Sequence, residues 1–418
     1  MQNQTTIKPG YKKTHFGIIP DSWIIDKLGR VAELKVGKTP SRSNTDYWYN
    51  GNSNNIWISI RDMKSKYLYD SKEYLTNFAI STTKINKVEK GTLLMSFKLT
   101  LGKMAWAGKD LYTNEAIVAI KPYEDIILKE LLYFSLPYSV SKSDAGEAVK
   151  GKTLNQELLK NLDIIVPTDI NEQQKISKIL NTCDDTIEIT KEIIQKLESR
   201  NKGLQGQLLT GKKRISGFTD KWKLLSLKDV FNRVTRKNDN GNTNVLTISA
   251  QRGLINQENF FNKQIASVTL DNYFLLNKGE FAYNKSYSNG YPMGAIKRLN
   301  DYDKGVVTTL YICFSIKEEL NYSSNFFEKY FESGLLIRGL TEIAHEGGRA
   351  HGLLNVTPTD FFNLKIKVPD EFEQEAIADV LDKSFQQLNE YKQKLEKLEL
   401  QKKGLMQQLL TGKTRVKI

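Results

Sequence analysis

The segment Gly146–Thr153 carries the clearest catalytic motif of the chain, because GEAVKGKT matches G-x-x-x-x-G-K-[ST] at every fixed position. Such a loop binds nucleotide phosphates when a buried strand leads into it and a helix leaves it. Here the preceding residues 137–144 are too polar for a central strand, and the extended segment 162–167 cuts the following helix short. We therefore predict a flexible basic loop. A P-loop ATPase stays as an alternative, which Lys152→Ala would test.

Other catalytic chemistry is sparse in the sequence. The chain has three histidines, His15, His345 and His351, and none has companion ligands at the spacing of a zinc site. The sequence also lacks the Asn/Asp-Pro-Pro-aromatic segment with which an amino-methyltransferase holds its target base, and a Gly-rich cofactor loop between a strand and a helix. We therefore predict a non-catalytic protein with no metal and no cofactor of its own.

Loops rich in Lys, Arg, Asn, Ser and Tyr are the stronger functional candidates, and three of them are 37–44, 61–64 and 284–291. Lys and Arg neutralise phosphates, while Arg and Asn make paired hydrogen bonds to base edges in the major groove of DNA. The 61 Lys and Arg exceed the 48 Asp and Glu, and the net charge of +13 favours a polyanion, with nucleic acid ahead of an anionic membrane. The predicted DNA-binding residues are Lys38, Thr39, Ser41, Arg42, Arg61, Lys64, Lys98, Lys103, Arg252, Asn284, Lys285, Tyr287, Asn289 and Arg349. For any single residue a solvated surface loop is the plainer interpretation, so the prediction depends on matching loops in both halves, with the basic loop at 146–153 near the DNA backbone.

The cysteine count and the hydropathy pattern indicate the compartment. Two cysteines, Cys183 and Cys313, cannot form a disulfide framework, so we expect a reducing cytosol. No apolar run approaches the ~20 residues of a membrane span, and the N-terminus has no apolar h-region. We therefore expect a cytoplasmic protein that has no membrane partner.

The elements that position these loops occur twice. Residues 196–212, KLESRNKGLQGQLLTGK, return at 397–413 as KLELQKKGLMQQLLTGK. A Val-Pro pair precedes each copy, and a Trp lies near the start of each half. The segment equivalent to the phosphate-loop motif, 346–353, keeps glycines and a cation but loses the motif. The chain therefore consists of two copies of a unit of roughly 200 residues.

Each copy ends in a long amphipathic segment. Apolar residues recur there as a/d heptads over more than four repeats, which indicates a coiled coil over 172–209 and 373–409. The predicted seam is Ile176, Leu180, Ile187, Ile194, Leu197, Leu204, Leu208, Ile377, Leu381, Leu388, Leu395, Leu398, Leu405 and Leu409. Asn201 and Lys402 occupy the same seam position, where a polar residue discourages slipped registers. The alternative is that each helix packs on its own globular block.

The blocks 20–166 and 218–368 contain short runs of β-branched and aromatic residues between Gly- and Asn-rich turns, which predict strands. The strand predictions are 55–60, 92–96, 116–120, 245–248, 280–283 and 306–316, and the helix predictions are 126–136 and 325–338. We therefore predict an α+β fold class, with two domains of mixed α/β structure joined by two long helices in an antiparallel coiled coil and related by a pseudo-two-fold.

This layout resembles the specificity (S) subunit of Type I restriction–modification enzymes, and the resemblance covers essentially the whole chain. Its most specific parts are 172–211 and 373–412, each with Leu-Leu-Thr-Gly at its end, together with Gly37-Lys38-Thr39-Pro40 and the segment 91–102. In the second block Arg236-Lys237-Asn238 stands where the Gly-Lys-Thr-Pro loop would be. The resemblance implies target-recognition domains over 1–167 and 215–369 and spacer helices over 168–214 and 370–418.

In that family each recognition domain reads one half of a split DNA sequence, and the paired helices set the gap and dock two methyltransferase (M) subunits. The resemblance implies that S-adenosylmethionine, ATP and Mg belong to partner subunits, and that motor/nuclease (R) subunits join through the M subunits. Two alternatives stay open. One is a specificity subunit that serves a fused methyltransferase–nuclease, and the other is a coiled-coil scaffold that does not bind DNA.

Overall fold

The structure, a computed structural model, describes residues 7–49, 51, 54–98, 100–142, 155–239, 241–258, 270–344 and 354–418. The phosphate-loop motif at 146–153, its counterpart at 346–353, His345, His351 and Arg349 lie outside these residues. Backbone proximity divides the chain into a first unit, Met1–Lys191 with Lys394–Ile418, and a second unit, Glu192–Gln393. Each unit therefore combines one globular segment with part of both long helices, whereas the sequence predicted four successive segments.

Short strands make up most of the first globular segment. They are β1 (Tyr11–Thr14), β2 (Gly17–Pro20), β3 (Ile24–Lys27), β4 (Ala32–Val36), β5 (Trp48–Tyr49), β6 (Ile56–Ile58), β7 (Tyr67–Leu68), β8 (Glu73–Leu75), β9 (Leu93–Ser96), β10 (Met104–Ala107), β11 (Tyr112–Thr113), β12 (Ile117–Pro122) and β13 (Asp163–Val166). The main sheet has the order β4-β12-β9-β10-β7, and a second sheet has the order β11-β6-β8-β5. The α-helices of this segment are Leu28–Val31, Asn77–Thr83, Lys129–Lys142 and Gln156–Lys160.

The second globular segment repeats part of this plan. Its strands are β14 (Lys223–Ser226), β15 (Phe231–Val234), β16 (Leu246–Ser249), β17 (Gly253–Asn256), β18 (Phe274–Asn277), β19 (Phe281–Asn284), β20 (Ala295–Arg298), β21 (Lys304–Val307), β22 (Ile312–Ile316) and β23 (Lys365–Val368). The order β15-β22-β19-β20 corresponds to β4-β12-β9-β10, and all of these pairs are antiparallel. The pair β14–β23 likewise corresponds to β3–β13. The repeat in the sequence is therefore a repeat of the sheet scaffold.

The helices of the second segment are Leu227–Val230, Ser324–Glu332, Ile337–Ile343 and Pro358–Asn363. The single helix predicted at 325–338 is thus two helices, because Gly334 adopts a left-handed φ of +79° between them. The single strand predicted at 306–316 is also two strands, β21 and β22, because a turn closes between the amide of Tyr311 and the carbonyl of Thr308. The helix predicted at 126–136 begins later and continues past Pro137 to Lys142.

The two long helices span Ile170–Leu208 and Glu371–Leu409, close to the predicted bounds. Gly211 and Gly412 follow them with a φ of +67°, the left-handed conformation that glycine adopts without strain. A Cβ on Gly412 would lie 2.4 Å from the Cδ atom of Pro20, so this position also lacks room for a side chain. No helix among the described residues is both long and apolar enough to cross a membrane.

Within each unit the two long helices run antiparallel where they contact each other. In the first unit Lys402 pairs with Asp184. In the second unit the Asn201 side chain donates to the Ser384 carbonyl at 3.0 Å, and Lys392 pairs with Glu198 at 2.7 Å. The predicted polar seam residues, Asn201 and Lys402, therefore both have polar partners on the other helix.

The predicted seam residues are all at least half-buried. Those that are buried are Ile176, Leu180, Ile187, Leu197, Leu208, Ile377, Leu381 and Leu409. Ile176 and Leu180 also join the hydrophobic core of the first unit, which includes Leu409 from the end of the other helix. Ile377 and Leu208 do the same in the second unit. Each helix therefore packs on a globular segment as well as on its partner helix.

A buried carboxylate joins the start of each long helix to its unit. In the first unit Glu172 accepts a hydrogen bond from the Trp23 indole at 2.9 Å and from Arg415 at 2.8 Å. In the second unit Glu373 accepts from the Trp222 indole at 2.9 Å and from Arg214 at 2.6 Å. We call each of these a Trp–Glu–Arg clasp. The two clasps hold equivalent helix ends by equivalent contacts.

Candidate nucleic-acid interface

The loop 37–44 leaves β4 at one end of the main sheet of the first unit. Its first residues are fixed by two backbone hydrogen bonds, from Gly37 to the Ile117 carbonyl at 3.1 Å and from Lys38 to the Thr113 carbonyl at 2.8 Å. A Cβ on Gly37 would lie 2.2 Å from the Thr113 carbonyl oxygen. The close approach of these backbones therefore requires glycine at this position.

Antiparallel pairing brings three loops of the first unit to this end of the sheet. Val36 at the end of β4 pairs with Val118, and Ile117 at the start of β12 pairs with Ser96 at the end of β9. The loop 37–44, the described residues of the loop 97–103 and the loop 114–116 therefore lie at the same end of the sheet, which we call the edge. The predicted residues that this edge carries are Lys38, Thr39, Ser41, Arg42 and Lys98, whereas the Lys103 side chain lines a separate cleft.

Arg42 lies on an aromatic platform at this edge. Its guanidinium carbon is 3.8 Å from the centre of the Trp48 ring and 4.8 Å from that of Trp57. The two indole N–H groups donate to the same loop, Trp57 to the Lys38 carbonyl at 3.0 Å and Trp48 to the Ser41 carbonyl at 3.1 Å. The platform thus fixes both the loop and the plane of its arginine.

Glu73 on β8 brings the two predicted arginines of the first unit together. Both terminal nitrogens of Arg42 donate to its carboxylate, Nη2 at 3.2 Å. Arg61 lies 3.7 Å from the same carboxylate with 83% of its side chain exposed. Two cations therefore share one anion at the edge.

A second carboxylate, Glu115, accepts a hydrogen bond from the Thr39 hydroxyl. Burial would by itself raise the pKa of Glu115, but the Thr39 hydrogen bond and the charges of Lys98 and Arg42 hold this pKa below its ordinary value. Glu115 is therefore an anion at neutral pH. Lys38 is also anchored, because its amine donates to the Thr83 carbonyl at 2.8 Å.

Lys64 and Lys103 point elsewhere within the first unit. They line a cleft of about 330 Å³ with Lys66, Lys191, Lys402, Asp184, Glu188 and Glu399. Within this cleft Lys66 and Lys402 are paired with Asp184. The structure thus separates the cleft lysines from Arg42 on the Trp platform.

In the second unit the hairpin between β19 and β20 carries most of the predicted residues. It occupies the place of the 97–103 loop of the first unit. Tyr287 is 64% exposed and Asn289 is exposed, whereas the Asn284 side chain accepts from the Ser286 amide at 3.1 Å. The Lys285 amine donates to the Val356 carbonyl at 3.3 Å, and burial lowers the pKa of this amine. Only the tip of the hairpin is therefore free to contact a ligand.

The other basic residues of the second unit divide into exposed and anchored ones. Arg252 is exposed in the turn between β16 and β17, and its amide donates to the Ser249 hydroxyl at 3.2 Å. Arg236 pairs with Glu280 at 2.9 Å, and Lys237 donates to the Asn272 carbonyl at 2.8 Å. The segment 236–238 is thus held by contacts within the second unit. It occupies the place that the Gly-Lys-Thr-Pro loop has in the first unit.

Residues 20–199 match the family model of the Type I restriction modification DNA specificity domain. The chain is 30% identical over 196 residues to the Type I restriction enzyme MjaIX specificity subunit of Methanocaldococcus jannaschii, covering 45% of this chain and 44% of that protein. It is 26% identical over 450 residues to the putative type I restriction enzyme MjaX specificity subunit of the same organism, covering 97% of each. Residues 20–199 thus form a Type I restriction modification DNA specificity domain, and the chain as a whole is similar to Type I restriction enzyme specificity subunits. It spans less than half of the MjaIX subunit and nearly the whole of the MjaX subunit.

The solved S subunit of a Type-I restriction-modification system from M. genitalium has a similar fold, with a TM-score of 0.56 and 14% sequence identity over 93% of this chain and 96% of that chain. The sheets and the long helices of the chain therefore follow a known fold. Sequence reasoning found the arginines and lysines of the loops but missed Glu73, Trp48 and Trp57, which contact Arg42. It also missed Glu115, which accepts a hydrogen bond from Thr39.

Proposed function

We propose that this chain is a Type I specificity subunit that binds duplex DNA sequence-specifically, with each globular segment reading one half of a bipartite target. The observation that carries the proposal is the repeated sheet β4-β12-β9-β10 and β15-β22-β19-β20, which presents the loop 97–103 in one unit and the hairpin tip 285–294 in the other. The scaffold is the same but the loop residues differ. Two equivalent scaffolds with different loops suit a target that has two different halves.

We further propose that the long helices set the gap between the halves and dock two methyltransferase subunits. Each helix has 39 residues and contributes to both units. Their outer faces carry exposed apolar side chains, Ile189, Phe372 and Leu400, which a partner protein would cover. Catalysis with S-adenosylmethionine, ATP and Mg then belongs to the methyltransferase subunits and to the motor/nuclease subunits that join through them, and the assembly works in the cytoplasm.

The test is the methylated sequence in genomic DNA of cells that carry the assembled complex with single substitutions. Arg42→Ala should alter bases in only one half of the target, and Asn289→Ala in only the other half. A lost base contact costs about 1–3 kcal/mol, which corresponds to roughly 5- to 150-fold in discrimination. Arg338→Ala is the matched control, because the Arg338 side chain is 92% exposed and, among the described residues, its ion pair is with Glu342 on the same helix.

The other outcomes separate the alternatives. A uniform loss over unrelated sequences would assign Arg42 and Asn289 to phosphates. An unchanged target for both variants, together with no affinity of the chain for duplex DNA, would favour the coiled-coil scaffold. A methylated target that depends on a single partner chain carrying both methyltransferase and nuclease activities would identify the fused system.

A further inference from the structure

We propose that Glu73 is a specificity-determining residue that positions Arg42 to read a guanine rather than to bind a phosphate. This inference rests on the proposed DNA-binding function and names how one base of the target is selected. Sequence motifs gave no role to Glu73, since it lies 31 residues from Arg42. Its role follows from the contacts on the first unit.

The carboxylate of Glu73 occupies one edge of the Arg42 guanidinium. A guanidinium has five N–H groups, and both terminal nitrogens of Arg42 donate one to Glu73. The Nε–H and the second N–H of Nη2 lie side by side on the neighbouring edge, and no protein acceptor takes them among the described residues. Paired donors of this kind match the O6 and N7 acceptors of guanine in the major groove.

Packing restricts Arg42 to this orientation. One face of its guanidinium stacks on Trp48, and Trp57 crosses Trp48 with ring centres 5.0 Å apart. Glu73 is itself fixed, because strand pairing places it opposite Trp57 and its amide donates to the Ser71 hydroxyl at 2.9 Å. Half of the Arg42 side chain stays exposed, at 49%. An arginine held in advance loses less conformational freedom when it binds a base edge.

The charge of Glu73 also disfavours phosphate at this position. It neutralises Arg42 and would repel a phosphate that approached the same guanidinium edge. Arg61, at the longer distance of 3.7 Å and far more exposed, stays free to contact the DNA backbone. In this arrangement Arg42 contacts a base and Arg61 contacts a phosphate. Glu73 keeps Arg42 from binding a phosphate as well.

The experiment compares Glu73→Gln with Asp110→Asn in the complex assembled with its methyltransferase subunits. Both substitutions remove one negative charge from a paired carboxylate of the first unit, but Asp110 pairs with Lys87 at 2.8 Å and has no contact with Arg42. Fluorescence polarisation would measure the Kd for three kinds of DNA at several salt concentrations. These are a duplex with the target sequence found by methylation, duplexes with one base changed in the half that depends on Arg42, and an unrelated duplex.

For Glu73→Gln we expect tighter binding to the unrelated duplex with a steeper salt dependence, because a freed Arg42 gains a phosphate contact. At one guanine of the target, discrimination against other bases should fall at least tenfold. Asp110→Asn should leave this discrimination unchanged. Arg42→Lys should reproduce the loss, because an ammonium is a point charge without the rigid pair of donors.

Equal discrimination by Glu73→Gln and the unaltered complex would overturn the positioning role, and so would an equal loss in Asp110→Asn. If Arg42→Ala loses half-target discrimination while Glu73→Gln keeps it, the DNA-reading function stands and only the role of Glu73 fails. If the unaltered complex does not discriminate between the duplexes, the proposed function and this inference fail together.

Discussion

Arg415→Met tests the Trp–Glu–Arg clasp of the first unit. Glu172 is almost completely buried, and Arg415 is its only cationic partner among the described residues. The substitution keeps an unbranched side chain but removes the charge. Glu172 then keeps the hydrogen bond from Trp23 and loses its counter-charge.

Removing one partner of a buried ion pair costs about 3–5 kcal/mol, because the remaining charge is left uncompensated. The Arg415 side chain is 40% exposed, so water can partly replace it, and we expect the lower end of this range, about 3 kcal/mol. Since 1.36 kcal/mol corresponds to a factor of ten, local opening should become about 150-fold more frequent. Arg214→Met in the second clasp should cost at least as much, because Arg214 is only 26% exposed.

Hydrogen exchange followed by mass spectrometry measures this opening separately in the two units. In Arg415→Met, peptides that cover β3 and β13 should exchange faster, while those that cover β14 and β23 should not change. The double variant Glu172→Gln with Arg415→Met should recover part of the protection, because a neutral amide can accept from Trp23 without a counter-charge. Less than tenfold faster exchange in the single variant, or no recovery in the double one, would refute the reasoning.

Two further predictions concern the edge loop and the helices. Gly37→Ala should destabilise the first unit by about 1–3 kcal/mol in urea unfolding, because the new Cβ would overlap the Thr113 carbonyl. Gly203→Ala, where a Cβ meets nothing within 4 Å, is its control and should be neutral or stabilising, so equal losses in both would contradict the packing argument. One heptad inserted in both long helices adds about 10 Å at 1.5 Å per residue. With about 3.4 Å per base pair, the unspecified gap of the methylated target should grow by roughly three base pairs. An unchanged gap in a complex that still methylates would exclude the helices as the spacer.

The long helices and their inward faces could be predicted because the sequence pattern that specifies them involves residues close together in the chain. The heptad pattern repeats every few residues, and the glycines after each helix mark its end. The outcomes for Asn201 and Lys402 show the limit of that signal. The sequence placed both at one seam position, but only the structure gives Asn201 a neutral partner in Ser384 and Lys402 a charged one in Asp184.

The candidate interface could be predicted only in part, because its geometry depends on strand register. Polar loops and charge identified Arg42 and Arg61 as candidates. Glu73 reaches them because β8 pairs with β6 so that Glu73 lies opposite Trp57. A register shift of one residue would turn Glu73 to the other face of the sheet, and no local pattern in the sequence sets this register. Glu73, the carboxylate that contacts both arginines, was therefore missed.

The clasps explain why the sequences of the two copies are similar at some positions and differ at others. Arg214 follows the first long helix but pairs with Glu373 at the start of the second, and Arg415 follows the second helix but pairs with Glu172 at the start of the first. Neither copy thus completes its own clasp, and a change in one copy leaves a buried carboxylate of the other without its cation. Among the described residues, the side-chain hydrogen bonds of the loops 37–44 and 285–294 are made within their own copy. Substitution is therefore restricted at the residues that join the two copies, whereas the loop residues can differ between the copies.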